Sequence, residues 1–374
     1  MNLYLINTVI GFINQSRFIN EARLDAAIKI EANMKMPAPI GFLFLSSVVG
    51  VLVLSNTVGA AVKTDLYMLD DNDVPVKVDL TETSFEPNVN VNDLPKRVLF
   101  YLYTKNTKKN AEQLHVGDSN SLAKSHFNPK KPTKFVTHGW ISSQKSKACT
   151  LVRDAFLQNG DYNVIVVDWS SISRRPYLWT SRQVVSIAQF VGKMIDFLES
   201  HGMKPSDVTV VGHSLGAHIA GLSSYYAKNK VNYVVGLDPA GPNYNLNGEG
   251  SRISAKDAKY VEIIHTSILL GLNKQLGHSD FYPNGGSTQN GCSVDLGGSC
   301  SHARSYRFFA ESINSNGFLA RSCSGYSDYK GGKCNSNHVA RMGGVQPDTK
   351  ASGKYYLTTN SKSPYAKNVA FELD

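Results

Sequence analysis

Short apolar runs recur between residues 98 and 264, and polar or helix-patterned stretches separate them. Near-continuous runs of β-branched and apolar residues predict buried strands, whereas apolar residues repeating every three or four positions predict helices. The predicted strands are Val98–Tyr103, Thr133–Thr137, Asn163–Asp168, Val208–Val211, Tyr233–Leu237 and Tyr260–Ile264, and the predicted helices are Ser181–Ser200, Ala217–Tyr226 and Ala303–Ser315. Strands that alternate with helices in this way predict an α/β domain whose central sheet is mainly parallel, with helices on both faces.

The segment before these strands has a different composition. Residues 1–60 are interpreted as an N-terminal extension plus a signal peptide, because the apolar run Ile40–Leu54 ends in small residues suited to cleavage near Ala60. That run is shorter than the roughly 20 residues of a membrane span. Secretion is therefore expected, with an uncleaved signal anchor that tethers the chain to a membrane as the alternative. Residues 61–97 are expected to be a loosely structured lead-in, and residues 98–374 one catalytic domain.

The charge and the cysteines narrow the class of protein. A formal net charge of +9 favours anionic partners, but no aromatic–basic alternation accompanies it, so nucleic acid is not expected.

None of the five cysteines forms a C-x-x-C pair, which disfavours a zinc site. Cys292 with Cys300, and Cys323 with Cys334, would close short loops typical of disulfides in secreted proteins. Cys149 is left over, either as a buried free thiol or as an intermolecular link.

The stretch Gly212–Gly216 reads Gly-His-Ser-Leu-Gly. It follows a predicted strand and precedes a predicted helix, which is the context in which G-x-S-x-G forms a nucleophile elbow. The alternative is a glycine-rich strand-to-helix turn without chemistry. The context favours Ser214 as a nucleophile, and a serine hydroxyl then needs a base and an orienting carboxylate.

The acid and the base are sought downstream of Ser214, because they follow the serine in that order on this type of sheet. Asp238 comes directly after the predicted strand Tyr233–Leu237, at the edge of the sheet where functional residues belong. His302 is favoured as the base because it lies beside Cys300 and a predicted helix. Weaker acids are Asp257, Asp280 and Asp295, and the residues alone leave His265, His278 and His338 open as bases.

An oxyanion hole requires two backbone N–H groups. One is expected from Leu215, the residue after the serine. The other is expected from Trp140, because Thr137–Trp140 reads Thr-His-Gly-Trp after a short apolar strand and Gly139 permits close approach. An ordinary turn is the alternative for this stretch.

Six stretches together resemble the pancreatic lipase family, and more closely its insect members related to wasp-venom phospholipase A1. In order along the chain they are Thr137–Trp140, Gly160–Trp169, Gly212–His218, Gly236–Pro242, Gly277–Gly286 and Cys300–Ser305. The resemblance implies an α/β-hydrolase fold, no cofactor and a serine esterase that acts on lipids. It also implies a nucleophile, acid and base at Ser214, Asp238 and His302, and so selects among the histidines.

The same resemblance gives a meaning to Cys292 and Cys300, whose bridge staples the lid over the active site in this family. Here only residues 293–299 lie between them, and the segment between His265 and Gly277 is also short compared with triacylglycerol lipases. Both short segments are similar to those of the phospholipase A1 branch. A short lid buries less apolar surface over the active site and leaves room for a polar headgroup. The expected reaction is hydrolysis of the sn-1 acyl ester of phospholipids at a membrane or lipoprotein surface. Triacylglycerol or galactolipid hydrolysis is the alternative.

The sequence also departs from the family pattern. The family's C-terminal β-sandwich is not expected, since the chain ends at Asp374, and colipase is therefore not an expected partner. Asp257 matches one carboxylate of the family's structural calcium site, but Ser254 replaces the other, so no bound metal is expected. A non-catalytic lipid-binding or storage protein similar to insect yolk proteins is the alternative of another class. The presence of all three triad residues and both oxyanion loops disfavours it.

Overall fold

The computed structural model describes residues 65–81 and 87–367. The predicted extension and signal peptide lie outside these residues. Within them, no helix is both long enough and apolar enough to cross a membrane. The described residues belong to one compact unit, and so do the elements below.

The strands and helices are short and follow one another closely along the chain. The strands are β1 (Tyr67–Leu69), β2 (Pro75–Lys77), β3 (Leu99–Tyr103), β4 (Glu112–Leu114), β5 (Thr133–Thr137), β6 (Asn163–Asp168), β7 (Val208–His213), β8 (Tyr233–Leu237), β9 (Tyr260–Ile264), β10 (Ser279–Pro283), β11 (Leu319–Ser322), β12 (Val339–Arg341) and β13 (Gly353–Leu357). The helices are α1 (Leu94–Arg97), α2 (Ser119–Lys124), α3 (Lys147–Asn159), α4 (Ser170–Ser173), α5 (Tyr177–Ser200), α6 (Leu215–Tyr226), α7 (Ser299–Ser312) and α8 (Tyr326–Lys330).

All of these strands except β1 and β2 form one sheet, in the order β12-β11-β13-β10-β9-β8-β7-β5-β6-β3-β4. The strands from β13 to β6 in that order run parallel to one another. Antiparallel strands complete both edges. The carboxyl ends of β5, β7 and β8 therefore meet at one edge of the sheet, where loops carry functional groups in folds of this kind.

The central parallel strands β6, β7, β8 and β9 bury side chains on both faces of the sheet, which explains why their sequences are near-continuous apolar runs. On one face Phe135 and Val210 belong to a core shared with α5 and α6. On the other face Val136 and Val211 belong to a core shared with α3 and α7. The α/β prediction of a mainly parallel sheet with helices on both faces is confirmed.

Three elements differ from the sequence-based expectation. Residues 279–283, which their polar and turn-forming composition places in a loop, form the buried strand β10 between β9 and β13. The helix expected over Ala303–Ser315 begins at Ser299 and ends at Ser312. The described part of the lead-in contains an antiparallel hairpin made of β1 and β2, which is more regular structure than its sequence indicates.

The structure contains disulfides between Cys292 and Cys300 and between Cys323 and Cys334. Cys149 is a buried free thiol on α3, and burial raises the pKa of this thiol. Of the two alternatives for Cys149, a buried free thiol or an intermolecular link, the structure contains the buried free thiol.

Candidate active site

Ser214 lies at the sharp turn between β7 and α6, at φ 59° and ψ −123°. This backbone conformation is strained for a residue with a side chain, and such strain is characteristic of functional sites. The turn needs glycine on both sides: a Cβ atom on Gly212 would collide with the carbonyl of Gly216, and one on Gly216 with the carbonyl of His138. The Ser214 amide donates to Leu237 O at 3.0 Å. The predicted elbow geometry is therefore present, and β8 supports it.

Asp238 and His302 are hydrogen bonded, with His302 Nδ1 at 2.6 Å from Asp238 Oδ2. Asp238 directly follows β8, and His302 lies in the first turns of α7. The other carboxylate oxygen, Asp238 Oδ1, accepts from the amides of Thr266 at 2.8 Å and Ser267 at 3.2 Å. The carboxylate is thus held on both oxygens, which fixes the imidazole and leaves Nε2 as its free nitrogen.

Burial sets the protonation of this pair. Both side chains are at most 3% exposed. Burial lowers the pKa of His302, which keeps the ring neutral at neutral pH and therefore able to accept a proton. Burial also raises the pKa of Asp238, while the amides of Thr266 and Ser267 act in the opposite direction. A neutral ring that donates from Nδ1 to Asp238 carries its lone pair on Nε2, as a general base requires.

Ser214 Oγ and His302 Nε2 are both buried, and neither has a hydrogen-bond partner among the described residues. Both residues line the same cleft, together with His213 and Tyr306. The free volume of this cleft is about 30 Å³, so the space beside the serine is narrow.

The predicted oxyanion loop passes directly beside Ser214. A Cβ atom on Gly139 would lie 2.8 Å from Ser214 Cβ and 3.1 Å from His213 O, so only glycine permits this approach. Trp140, the next residue, lines the cleft and is anchored by its indole N–H, which donates to Arg175 O at 2.7 Å. Leu215 is the first residue of α6, where amides have no partner within the helix. The two predicted donors thus lie on either side of the serine.

The other candidate acids and bases lie elsewhere. His265 is bonded to Asp280, with Nε2 at 2.9 Å from Oδ1, but neither residue lines the cleft. His278 accepts from the Val261 amide at 2.9 Å, and His338 contacts the Tyr355 hydroxyl. The two further acids have their own partners: Asp257 bonds Ser254, and Asp295 accepts from the amide of Cys300. The structure therefore brings together Ser214, Asp238 and His302 from the larger set.

Sequence reasoning did not single out His213, the residue before the serine. Its ring lies 4.4 Å from that of His302 and 5.0 Å from that of Tyr306, edge to face in the second case. Burial lowers the pKa of His213 well below its ordinary value. The ring is therefore neutral where it lines the cleft. The signal was available, because a histidine within an elbow motif must lie beside the nucleophile.

The hairpin of β1 and β2, here called the lead-in hairpin (residues 67–77), forms one wall of the cleft through Met68, Leu69, Asp70 and Asp73. Charged groups hold its tip. The carboxylate of Asp71 accepts from the Ser143 amide and hydroxyl at 2.9 and 2.7 Å, and from Arg174 at 2.9 Å. The carboxylate of Asp73 pairs with Lys147. These partners are distant in sequence, so no local pattern indicated this wall.

The loop closed by Cys292 and Cys300 reaches the cleft through Ser299. Asp295 Oδ1 accepts from the Cys300 amide at 2.9 Å and from the Ser301 amide at 3.2 Å. Gly297 is packed against the backbone of Asp65 and Tyr67, which connects this loop to the lead-in hairpin. Val294 and Leu296 on the same loop are exposed apolar residues.

Ser254 and Asp257 form a closed local pair rather than an open ligand set. The Ser254 hydroxyl donates to Asp257 Oδ1 at 2.8 Å, and the Ser254 amide donates to Oδ2 at 2.9 Å. Burial raises the pKa of Asp257 to about 6. Among the described residues no group of three or more His, Cys, Asp or Glu side chains is placed to hold a metal ion.

A mainly parallel sheet with helices on both faces, a serine elbow after β7 and a His–Asp pair at the same edge define an α/β hydrolase. The family model described as Lipase matches residues 70–365. The chain is 33% identical over 302 residues to pancreatic triacylglycerol lipase of Equus caballus, covering 72% of this chain and 65% of that protein. It is 34% identical over 292 residues to lipoprotein lipase of Papio anubis, covering 70% and 62%. The chain belongs to this lipase family, the pancreatic lipase family expected from its motifs.

The match does not extend over the whole length of these relatives, since the chain spans a little less than two thirds of each. Among solved structures, a phospholipase/carboxylesterase from Dyadobacter fermentans is similar over 44% of this chain and 73% of that chain, with 14% identity and a TM-score of 0.30.

Proposed function

We propose that this protein hydrolyses carboxylic esters of lipids, with Ser214 as nucleophile, His302 as base and Asp238 as the orienting acid. One observation supports this above all. The unpartnered Ser214 hydroxyl and the unpartnered Nε2 of His302 line one cleft, while the other nitrogen of that ring bonds Asp238 at 2.6 Å. Two buried polar atoms without partners are costly unless a ligand or a reaction uses them.

The proposed reaction proceeds in two halves. The Ser214 hydroxyl attacks the ester carbonyl carbon and gives its proton to His302 Nε2, and the amides of Trp140 and Leu215 stabilise the negative oxygen that forms. His302 then protonates the departing alcohol oxygen as the ester bond breaks, which leaves an acyl-enzyme. Water, deprotonated by the same nitrogen, attacks the acyl-enzyme and releases the fatty acid and the free serine.

The proposed substrate is a phospholipid cleaved at the sn-1 position. The short loop between Cys292 and Cys300, whose cysteines are eight positions apart, supports this because it covers little apolar area over the cleft. Triacylglycerol is the second candidate, and the name of the Equus caballus relative favours it. Two disulfides in the described residues support an extracellular protein, because such bonds persist in oxidising compartments.

The first experiment tests whether Ser214 is a nucleophile. A fluorescent organophosphonate should label the wild-type protein at Ser214 and should not label S214A. S223A is a matched control, since Ser223 lies on α6 and its hydroxyl already donates to Ala220 O at 2.8 Å. Absence of label on wild-type protein that is folded by circular dichroism would contradict the hydrolase proposal and favour a non-catalytic lipid-binding protein.

The second experiment tests the substrate. Phosphatidylcholine, a galactolipid and a triacylglycerol with the same acyl chains should be offered side by side, and the products should be identified by mass spectrometry. The proposal expects 2-acyl lysophosphatidylcholine as the main product. Rapid hydrolysis of triacylglycerol with little attack on phosphatidylcholine would instead support the second candidate.

A further inference from the structure

The N-terminal end of α3 borders the cleft that contains Ser214. Ser142, Ser146 and Lys147 all line this cleft. Ser146 is the capping residue of α3, but its side chain makes no cap hydrogen bond. The first amides of a helix have no partner within the helix, and they carry partial positive charge. This end of α3 therefore presents uncapped N–H groups beside the candidate nucleophile.

The Ser146 hydroxyl is a second, independent sign of a binding site. Ser146 is 4% exposed, and its Oγ has no hydrogen-bond partner of ordinary geometry. The weakly polar thiol of Cys149 lies nearby. A buried hydroxyl that lines a cleft without a partner loses the hydrogen bonds it had in water, and a polar ligand would restore them.

An acidic side chain of the lead-in hairpin already lies at this position. The Asp73 carboxylate pairs with the Lys147 ammonium and lies 4.0 Å from the Arg307 guanidinium. Arg307 in turn lies over the Tyr306 ring, 5.7 Å from its centre. One carboxylate thus has two cations and a helix N-terminus around it, an arrangement with an excess of positive charge.

We propose that Ser146, Lys147 and Arg307 form a binding subsite for the phosphodiester of a phospholipid, and that Asp73 occupies it when no substrate is bound. This inference rests on the proposed function. It identifies the phosphodiester as the group by which the protein distinguishes a phospholipid from an uncharged glyceride. A phosphate has the acceptor oxygens that the Ser146 hydroxyl, the α3 amides and the two cations require. Displacement of Asp73 would also remove one of the contacts that hold the tip of the lead-in hairpin.

The kinetic test compares two substrates that differ only in the phosphocholine group. These are 1,2-dihexanoyl-glycerophosphocholine and 1,2-dihexanoylglycerol, both below their micellar concentrations. K147Q should lower the ratio of kcat/KM for the first to kcat/KM for the second by about fivefold to tenfold, as expected for one half-exposed charge-assisted contact. K145Q is the matched control, because Lys145 is exposed and does not line the cleft. Its ratio should equal that of the wild type.

The binding test uses glycerophosphocholine, which carries no acyl ester, and measures its affinity by calorimetry. K147Q should weaken glycerophosphocholine binding and D73N should strengthen it, whereas K145Q should leave it unchanged. An identical ratio in K147Q and wild type, or no binding of glycerophosphocholine to the wild type, overturns the subsite. Loss of the organophosphonate label would refute the hydrolase proposal alone, so the two failures are distinguishable.

Discussion

The buried pair of His265 and Asp280 supports the loop that holds Asp238. His265 Nδ1 lies 2.7 Å from Leu272 O, and Nε2 lies 2.9 Å from Asp280 Oδ1. Each ring nitrogen is therefore within hydrogen-bond distance of an oxygen atom. The two side chains are at most 1% exposed. His265 and Asp280 therefore form a desolvated hydrogen-bonded pair, and each side chain depends on the other for its partner.

The same bonds fix the geometry of the candidate site. The amides of Thr266 and Ser267 donate to Asp238 Oδ1, and the His265 bond to Leu272 O closes the loop that carries them. Asp280 also accepts from the amides of Leu276 and Gly277 at 2.8 and 3.0 Å. Loss of the His265 side chain would release this loop and weaken the hold on Asp238.

H265Q leaves the Asp280 carboxyl group buried without the ring nitrogen that it contacts. Leaving a buried polar group without its hydrogen-bond partner costs about 1–3 kcal/mol of the free energy of unfolding. D280N should cost a similar amount, because it removes the carboxyl oxygen that His265 contacts. The double variant H265Q/D280N removes both partners, and replacement of both partners of a buried hydrogen bond can be nearly neutral. The double-mutant cycle should therefore give a coupling energy of about 1–3 kcal/mol.

The assay is urea unfolding of the four proteins at pH 7, followed by tryptophan fluorescence, with kcat on a short soluble ester as a second measurement. Both single variants should lose kcat as well as stability. Additive losses in the cycle, with the double variant destabilised by the sum of the single effects, would refute the proposed coupling between His265 and Asp280. A loss of stability without loss of kcat would refute the link between this pair and Asp238.

Three further predictions concern the cleft and the core. G139A should lower kcat by roughly 10²–10³-fold, because its Cβ would lie 2.8 Å from that of Ser214 and displace the oxyanion loop. G248A, where nothing lies within 4 Å of the added Cβ, should leave kcat unchanged. Burial lowers the pKa of His302, so kcat/KM on a soluble ester should persist below pH 6.5 and fall only where the ring gains a proton; an acid limb above pH 6.5 would contradict this. Burial lowers the pKa of Lys134 from 10.5 to about 8, so between these values Lys134 binds more protons in the unfolded chain than in the folded one. The difference in the free energy of unfolding between wild type and K134M should therefore shift in favour of the wild type by about 3 kcal/mol as pH increases from 8 to 10.5; a constant difference would contradict this.

The central strands and the elbow were predictable because each depends on local sequence. β5, β6, β8 and β9 are apolar runs with buried side chains on both faces of the sheet, and their bounds agree with the pattern. The elbow requires glycine on both sides of Ser214, and glycine stands there. In these elements the local sequence pattern agrees with the tertiary contacts, because both require the same types of side chain.

β10 and the lead-in hairpin were not predictable in the same way. β10 contains Asp280, a buried carboxylate whose partner His265 lies fifteen positions earlier, so its sequence resembles a polar turn. The hairpin depends on contacts such as that of Asp71 with Ser143, 72 positions away. The choice of His302 over the other histidines likewise depends on a bond to a residue 64 positions away. Pairings of polar groups over such distances leave no periodic signal in the sequence.

The lead-in hairpin lines the cleft but contributes little to the hydrophobic core. Within residues 67–77 only Met68 is buried, so this segment contributes little to the core, yet it supplies a wall of the cleft. Changes in its tip can therefore alter which molecules are accepted at small thermodynamic cost. Related proteins can therefore vary this segment while they retain the sheet of parallel strands behind it.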